Sequence, residues 1–181
     1  MGLYKYEDNS FLRAVIRVII YILASVSFAW FIVHSFMGQI IISGNSMTPA
    51  LNAQDVCLID TLGYQFFSPR RFDVIVFTRE DTGKQNIKRV VGLPGETVSI
   101  EDGKIFINGE ELPNEYTSHI SLAGIAENAV ELPEDEYFVV GDNADSSEDS
   151  RFENIGNVKK SSVAGKLWFI FSPIKRTGFI K

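Results

Sequence analysis

From residue 18 to residue 37 the chain carries no charged side chain, a run of 20 residues. As a helix it would be about 30 Å long, the thickness of a bilayer's hydrocarbon core. Arg13 and Arg17 stand at its N-terminal end with Lys5 nearby, and no Lys or Arg follows before Arg70. That asymmetry predicts a cytoplasmic N-terminus over residues 1–17, a single transmembrane anchor over 18–37 and an extracytoplasmic remainder over 38–181. A cleavable signal peptide is the competing reading, because Ser27-Phe28-Ala29 offers a small-x-small site. Cutting there would leave residues 30–42 as an apolar tail that a soluble product would have to hide, so a retained anchor explains the run better.

The remainder is long enough for one modest core. A net charge of −6 without a cluster of Lys and Arg argues against a nucleic-acid partner. Cys57 is the only cysteine, which excludes an internal disulfide, a Cys-x-x-Cys pair and a thiolate zinc site. It reads as a small buried apolar residue. No metal or cofactor is expected.

Short apolar or alternating runs follow the anchor at residues 39–43, 56–60, 73–78, 86–91, 97–101, 104–108, 137–140 and 166–171. They read as strands. Asp102-Gly103 and Asn108-Gly109 supply the positive φ of tight hairpins, so residues 97–112 form a small meander. With no long helical period after the anchor, the expected fold is mostly β, an antiparallel sheet rolled into a barrel-like domain. Residues 113–130 read as an irregular loop. Two aromatic segments, 62–69 and 167–171, are expected in the core; exposed near the anchor, either would dip into the lipid interface.

Ser46 sits in a turn between Gly44 and Pro49, directly after the apolar run. A serine hydroxyl attacks a carbonyl only if a neighbour takes its proton. His34 and His119 lack a recognisable triad context, and solvated carboxylates are poor acceptors for an alcohol proton. Lys88 lies in a strand-like run, 86–91, that would otherwise be buried. On strand alternation alone a solvated face is the favoured reading for it. A lysine with its ordinary pKa near 10.4 is neutral about once in 2,500 at pH 7, and lowering it by two units needs only about 2.7 kcal/mol of desolvation. A buried Lys88 is therefore a plausible base for Ser46.

Four ordered segments resemble the bacterial type I signal peptidases, membrane-anchored serine proteases of the Ser-Lys kind. Ser43-Gly44-Asn45-Ser46-Met47-Thr48-Pro49-Ala50-Leu51 resembles the nucleophile box, with Ala50 where Thr is usual. Arg71-Phe72-Asp73-Val74-Ile75-Val76-Phe77 resembles the Arg-Gly-Asp strand, with Phe72 in place of Gly, a departure expected to touch packing rather than chemistry. Lys88-Arg89-Val90-Val91-Gly92-Leu93-Pro94-Gly95-Glu96 is similar to the lysine box, and residues 141–151, Gly-Asp-Asn-Ala-Asp-Ser-Ser-Glu-Asp-Ser-Arg, to the Gly-Asp-Asn box, with Ala144 where Arg is usual.

The resemblance implies that Ser46 is the nucleophile, Lys88 the general base and Ser147 the residue that hydrogen-bonds and orients the lysine amine. It further implies an ionic frame of Asp142, Asp149 and Arg151, with Asp142 paired to Arg89. Some members place a serine hydroxyl in the oxyanion hole two residues before the nucleophile; here that position is Gly44, which points to a hole built on the Ser46 N–H with backbone or water. The implied substrates are secretory precursors cut after small-x-small, Ala-x-Ala-like sites at the bacterial cell membrane. An extended peptide would add to the strand over residues 39–43, with Met47 near the first side-chain pocket. Two rivals remain. A self-cleaving repressor shares the dyad but cuts an Ala-Gly or Cys-Gly bond ahead of its serine, whereas Ala123-Gly124 follows it. An anchored binding module with a degenerate site would not need Ser46, Lys88 and Ser147 intact. A His-Glu-x-x-His metalloprotease is excluded, since the motif is absent.

Overall fold

The computed structural model describes residues 10–113 and 115–181. Lys5 and the rest of residues 1–9, and residue 114 within the expected loop, lie outside them. The chain divides into two compact units, residues 1–37 and 38–181. The first holds helix α1, Ser10–Phe36, within which Ser10–Phe31 is long and apolar enough to cross a membrane. Its apolar side chains from Phe11 to Phe31 are open to the surroundings, as a helix facing lipid requires.

The second unit is built from antiparallel strands. They are β1 (Met37–Ile41), β2 (Val56–Asp60), β3 (Val74–Thr78), β4 (Gln85–Gly92), β5 (Thr97–Glu101), β6 (Lys104–Ile107), β7 (Glu110–Glu111), β8 (Val130–Glu131), β9 (Glu136–Val140), β10 (Val158–Lys159), β11 (Val163–Ser172) and β12 (Gly178–Phe179). One short helix, α2 (Gly63–Phe66), follows β2. A wide sheet runs in the order β1-β2-β11-β3-β4-β9-β10, with β12 pairing on β11, and a small sheet runs β7-β6-β5-β8.

The wide sheet has apolar cores on both faces. Val74 and Val76 of β3 join Met47, Leu51, Cys57 and Leu167 on one side, while Ile75 and Phe77 join Val90, Tyr137 and Val139 on the other. A strand covered on both faces reads as a continuous apolar run rather than an alternation, which is the pattern Val-Ile-Val-Phe displays. In the small sheet, Asp102 and Gly103 take φ of 49° and 76°, and Asn108 and Gly109 take 52° and 82°. These are the two left-handed pairs that tight hairpins demand, as expected from the dipeptides.

The mostly β expectation holds. The first strand lies two residues earlier than the reading of 39–43, and β11 is longer than 166–171 at both ends. Of the two aromatic segments expected in the core, only part is there. Leu167 is buried and Tyr64 half-buried, but Phe66 is 78% exposed and Phe67 and Phe171 also face outward. The correction has a local cause: Asp60 accepts the N–H groups of Leu62 and Gly63 and turns the chain into α2, which points its last aromatics away from the sheet. Cys57 is buried as expected, and burial together with the nearby Asp55 pushes its thiol up to about 11.

Candidate active site

Ser46 stands in a compact turn after β1. The Met47 carbonyl accepts the Leu51 N–H at 2.8 Å, and the Asn45 carbonyl accepts the Thr48 N–H and hydroxyl at 3.2 and 2.8 Å. Met47 and Leu51 drive the turn into the apolar core on one face of the wide sheet, leaving Ser46 half-buried above it. Two ladder bonds between Ile42 and the far side of the loop, at Asp55 and Gln54, close its base.

Lys88 comes from β4, opposite Ile75 of β3. Its Nζ lies 3.0 Å from Ser46 Oγ, and the residue is only 5% exposed. Burial holds its pKa below the ordinary lysine value. Asp149 and Glu148 pull the other way, and Arg151 and Arg79 add to the lowering. Among the described residues no carboxylate forms an ion pair with the amine, so desolvation is not cancelled by a partner.

Ser147 is buried beside this pair, but its hydroxyl gives its single proton to Asp149 Oδ2 at 2.7 Å. The expected hydrogen bond from Ser147 to Lys88 is not among those the described residues make. With its one hydrogen given to Asp149, the Ser147 hydroxyl can meet the amine only as an acceptor. Asp149 in turn accepts the Gly141 N–H at 3.0 Å and the Arg151 guanidinium at 2.7 and 3.0 Å. Gly141 is required here by space alone. A Cβ on it would collide with the Ser147 side chain and sit 2.6 Å from the Ser46 carbonyl oxygen.

The expected ionic frame is present as two separate pairs. Arg89 and Asp142 form a fully buried bidentate pair at 2.7 and 2.6 Å, and Arg151 pairs with Asp149. Arg151 also donates to the carbonyls of Ala144 and Leu122 at 2.6 and 3.0 Å, so the Ala144 departure leaves a backbone contact in place of a side-chain one. Arg89 donates to the Phe72 carbonyl at 2.8 Å and lies 4.2 Å from the centre of the Tyr116 ring. Phe72 adopts a φ of 67°, a conformation that suits glycine and strains a residue with a Cβ. Its ring is compensated by contact with Tyr116 at 5.1 Å. The Phe-for-Gly departure is thus a matter of packing and backbone strain.

A cleft of about 320 Å³ opens over the pair, lined among others by Ile40, Ile42, Gly44, Ser46, Met47 and Lys88. Ser43, Gln85 and Asn86 line it as well, so its walls mix apolar and polar side chains. Gly44 is as open as expected, since a Cβ there would meet nothing within 4 Å. His119 does not line this cleft; its ring fills the space over Gly103 in the small sheet's hairpin. The side chain of His34 is not described.

Three contacts had no signal in the sequence. The Asn143 amide donates to Thr48 Oγ1 and the Asn45 carbonyl at 3.1 and 3.3 Å, while its N–H reaches the Ser46 carbonyl at 3.0 Å. Arg176 holds the other end of the same turn. Asp73, nearly buried, gathers the Tyr64 hydroxyl at 2.6 Å and the Lys166 amine at 2.5 Å. The hydroxyl of Tyr64 is thereby pushed well above its ordinary pKa, by burial first and Asp73 second. Each of these joins segments distant in sequence, where neither periodicity nor a local motif reports the pairing.

With a buried lysine held against a serine on an antiparallel frame, the chain belongs to the signal peptidase, peptidase S26 family, whose profile matches residues 13–172. Among relatives, signal peptidase I of Leptolyngbya laminosa is 36% identical over 145 residues, 76% of this chain and 70% of that one. Signal peptidase I of Bacillus licheniformis is 30% identical over 179 residues, 92% of this chain and 91% of that one. A crystal structure of a signal peptidase I from Enterococcus faecalis V583 aligns at 35% identity over 56% of this chain and 97% of that chain, with a TM-score of 0.46.

Proposed function

We propose that the protein is a membrane-anchored serine endopeptidase that removes N-terminal signal peptides from secreted precursors, with Ser46 as nucleophile and Lys88 as general base. The observation that carries this reading is the 3.0 Å contact between a buried, unpaired lysine amine and the serine hydroxyl. A neutral amine at hydrogen-bond distance can take the hydroxyl proton as Ser46 Oγ attacks the scissile carbonyl. The same nitrogen, now an ammonium, then protonates the leaving amine. Water next attacks the acyl-enzyme, with Lys88 again receiving the proton and Ser46 regaining it.

The oxyanion of each tetrahedral intermediate needs donors at about 2.7–3.1 Å. The Ser46 N–H is the first, and with Gly44 offering no hydroxyl the second comes from backbone or water. Asp149 fixes the Ser147 hydroxyl, whose oxygen keeps lone pairs with which to receive the ammonium once it forms. Asp142 and Arg89 brace the Gly141–Asn143 loop beneath.

Substrate would enter as an extended strand. β1 is the terminal strand of the wide sheet, and its continuation lines the cleft beside Ser46. An added strand presents alternate side chains to the same wall, which suits a small-x-small sequence. Helix α1, with Arg13 and Arg17 at its cytoplasmic end, would keep the enzyme in the membrane that also holds the precursors, raising their effective concentration. The test is cleavage of a purified precursor in detergent by the full chain, with Ser46→Ala and Lys88→Ala beside it. Both variants are expected to lose at least about 10⁴-fold in kcat. Processing at the parent rate by either one rules the dyad out.

A further inference from the structure

Arg176 stands 130 positions beyond Ser46, outside the motifs quoted above and beyond the 13–172 match to the family. Its Nη2 donates to the carbonyls of Pro49 and Ala50 at 3.2 and 3.0 Å, and its Nε is shared between both oxygens of Asp55 at 3.1 Å. Asp55 is buried, and it also accepts the Asn52 N–H at 2.8 Å. Pro49 and Ala50 are the closing residues of the turn that begins at Asn45, and the carbonyls at the end of such a turn have no partner within it. Arg176 supplies that partner while its charge is matched by Asp55.

The arginine is itself held firmly. Its N–H donates to the Pro173 carbonyl at 2.8 Å, β12 pairs with Phe169 and Ile170 of β11, and the Ile180 N–H reaches the Trp168 carbonyl at 3.0 Å. The C-terminal segment is therefore fastened to β11, an interior strand of the wide sheet, on both sides of Arg176. Asn143 grips the opening of the turn and Arg176 its close, so that Ser46 is suspended between two clamps from different parts of the fold.

We infer that Arg176 is a positioning residue for Ser46, and that the C-terminal segment is a working part of the active site through the carbonyls of Pro49 and Ala50. This rests on the reading of Ser46 as the nucleophile. Loss of the clamp would let the turn fluctuate, and a misplacement of well under 1 Å between Oγ, the Lys88 amine and the scissile carbonyl lowers the rate without weakening peptide binding. Lysine cannot substitute, because one ammonium cannot span a carboxylate and two carbonyls.

The experiment compares the full-length parent, Arg176→Lys and Arg176→Gln in detergent, by precursor cleavage and by hydrogen exchange of the peptide spanning residues 43–55. Arg176→Lys keeps a cation beside the buried Asp55, so it remains informative should Arg176→Gln fail to fold. For Arg176→Lys, kcat is expected to fall about tenfold with KM within twofold, and exchange in residues 43–55 to rise severalfold while β3 and β4 stay protected. Unchanged exchange in that peptide overturns the inference, as does raised exchange with an unchanged kcat. A parent no more active than Ser46→Ala would instead refute the peptidase reading, and the exchange arm would still report whether Arg176 holds the turn.

Discussion

Lys88 and Arg89 are neighbours on β4, both basic and both buried, yet the two sides of that strand treat them in opposite ways. Arg89 meets Asp142 in a bidentate pair, with a carbonyl and an aromatic ring satisfying the rest of its guanidinium. Lys88 meets one serine hydroxyl and no carboxylate among the described residues. A buried guanidinium with a full set of partners serves as a fixed strut. A buried lysine amine without a counter-ion loses its proton more easily and becomes a base. Alternation along a single strand thus separates structure from chemistry by one residue.

The largest effect that would break this contrast is at Arg89. Arg89→Ala leaves Asp142 buried without a partner and is expected to destabilise the fold by about 3–5 kcal/mol. Lys88→Met, by contrast, should abolish cleavage while leaving the melting temperature unchanged or raised. Thermal unfolding of both variants checks the pair of statements, and a Lys88→Met protein less stable than the parent would show the amine to be structural.

Next in size is the pH response. Because the Lys88 pKa is lowered on folding, the unfolded chain binds more protons than the folded one between the folded value and the ordinary value near 10.4. Its contribution to stability is therefore complete above about pH 10.4 and is lost as pH falls through the folded pKa. Cleavage should rise over the same lower limb as the amine becomes neutral. A profile of kcat/KM still climbing unchanged past pH 10 would contradict a desolvated base.

A smaller gain is expected at Gly44, where a side chain has room. Gly44→Ser is predicted to raise kcat about tenfold by adding a hydroxyl donor to the oxyanion hole, against the 10²–10³ that such donors carry in sites built around them. No gain in a kinetic comparison with the parent would mean the hole is already filled from the backbone. Smallest is Phe72→Gly, which relieves the left-handed strain but forfeits the contact with Tyr116, so stability should change by no more than about 1 kcal/mol in a denaturant titration.

Local chemistry was legible in the sequence. The Asp-Gly and Asn-Gly turns announced the hairpins of the small sheet, and the apolar run of β3 announced a buried strand. Ser46 and Lys88 could be named because each stands in a short motif, and the fold brings those motifs into contact. The bond from Ser147 to Asp149 was not legible, since residue spacing does not reveal which acceptor takes a hydroxyl proton. Phe66 and Phe67 were misjudged because aromatic character is the same whether a side chain is packed or exposed. Asn143, Asp55 and Arg176 escaped altogether. Their meaning lies in pairings across about 100 residues, which only tertiary structure creates.

In the wide sheet, β11 lies between β2 and β3 and, among the described residues, is the strand that joins them. The turn bearing Ser46 connects β1 to β2 on one side of that seam, and Lys88 belongs to β4 on the other. Through β11 the strand that follows the serine turn and the strand that pairs with the lysine's own are held at one spacing, so a disturbance anywhere along Val163–Ser172 reaches Ser46 and Lys88 together.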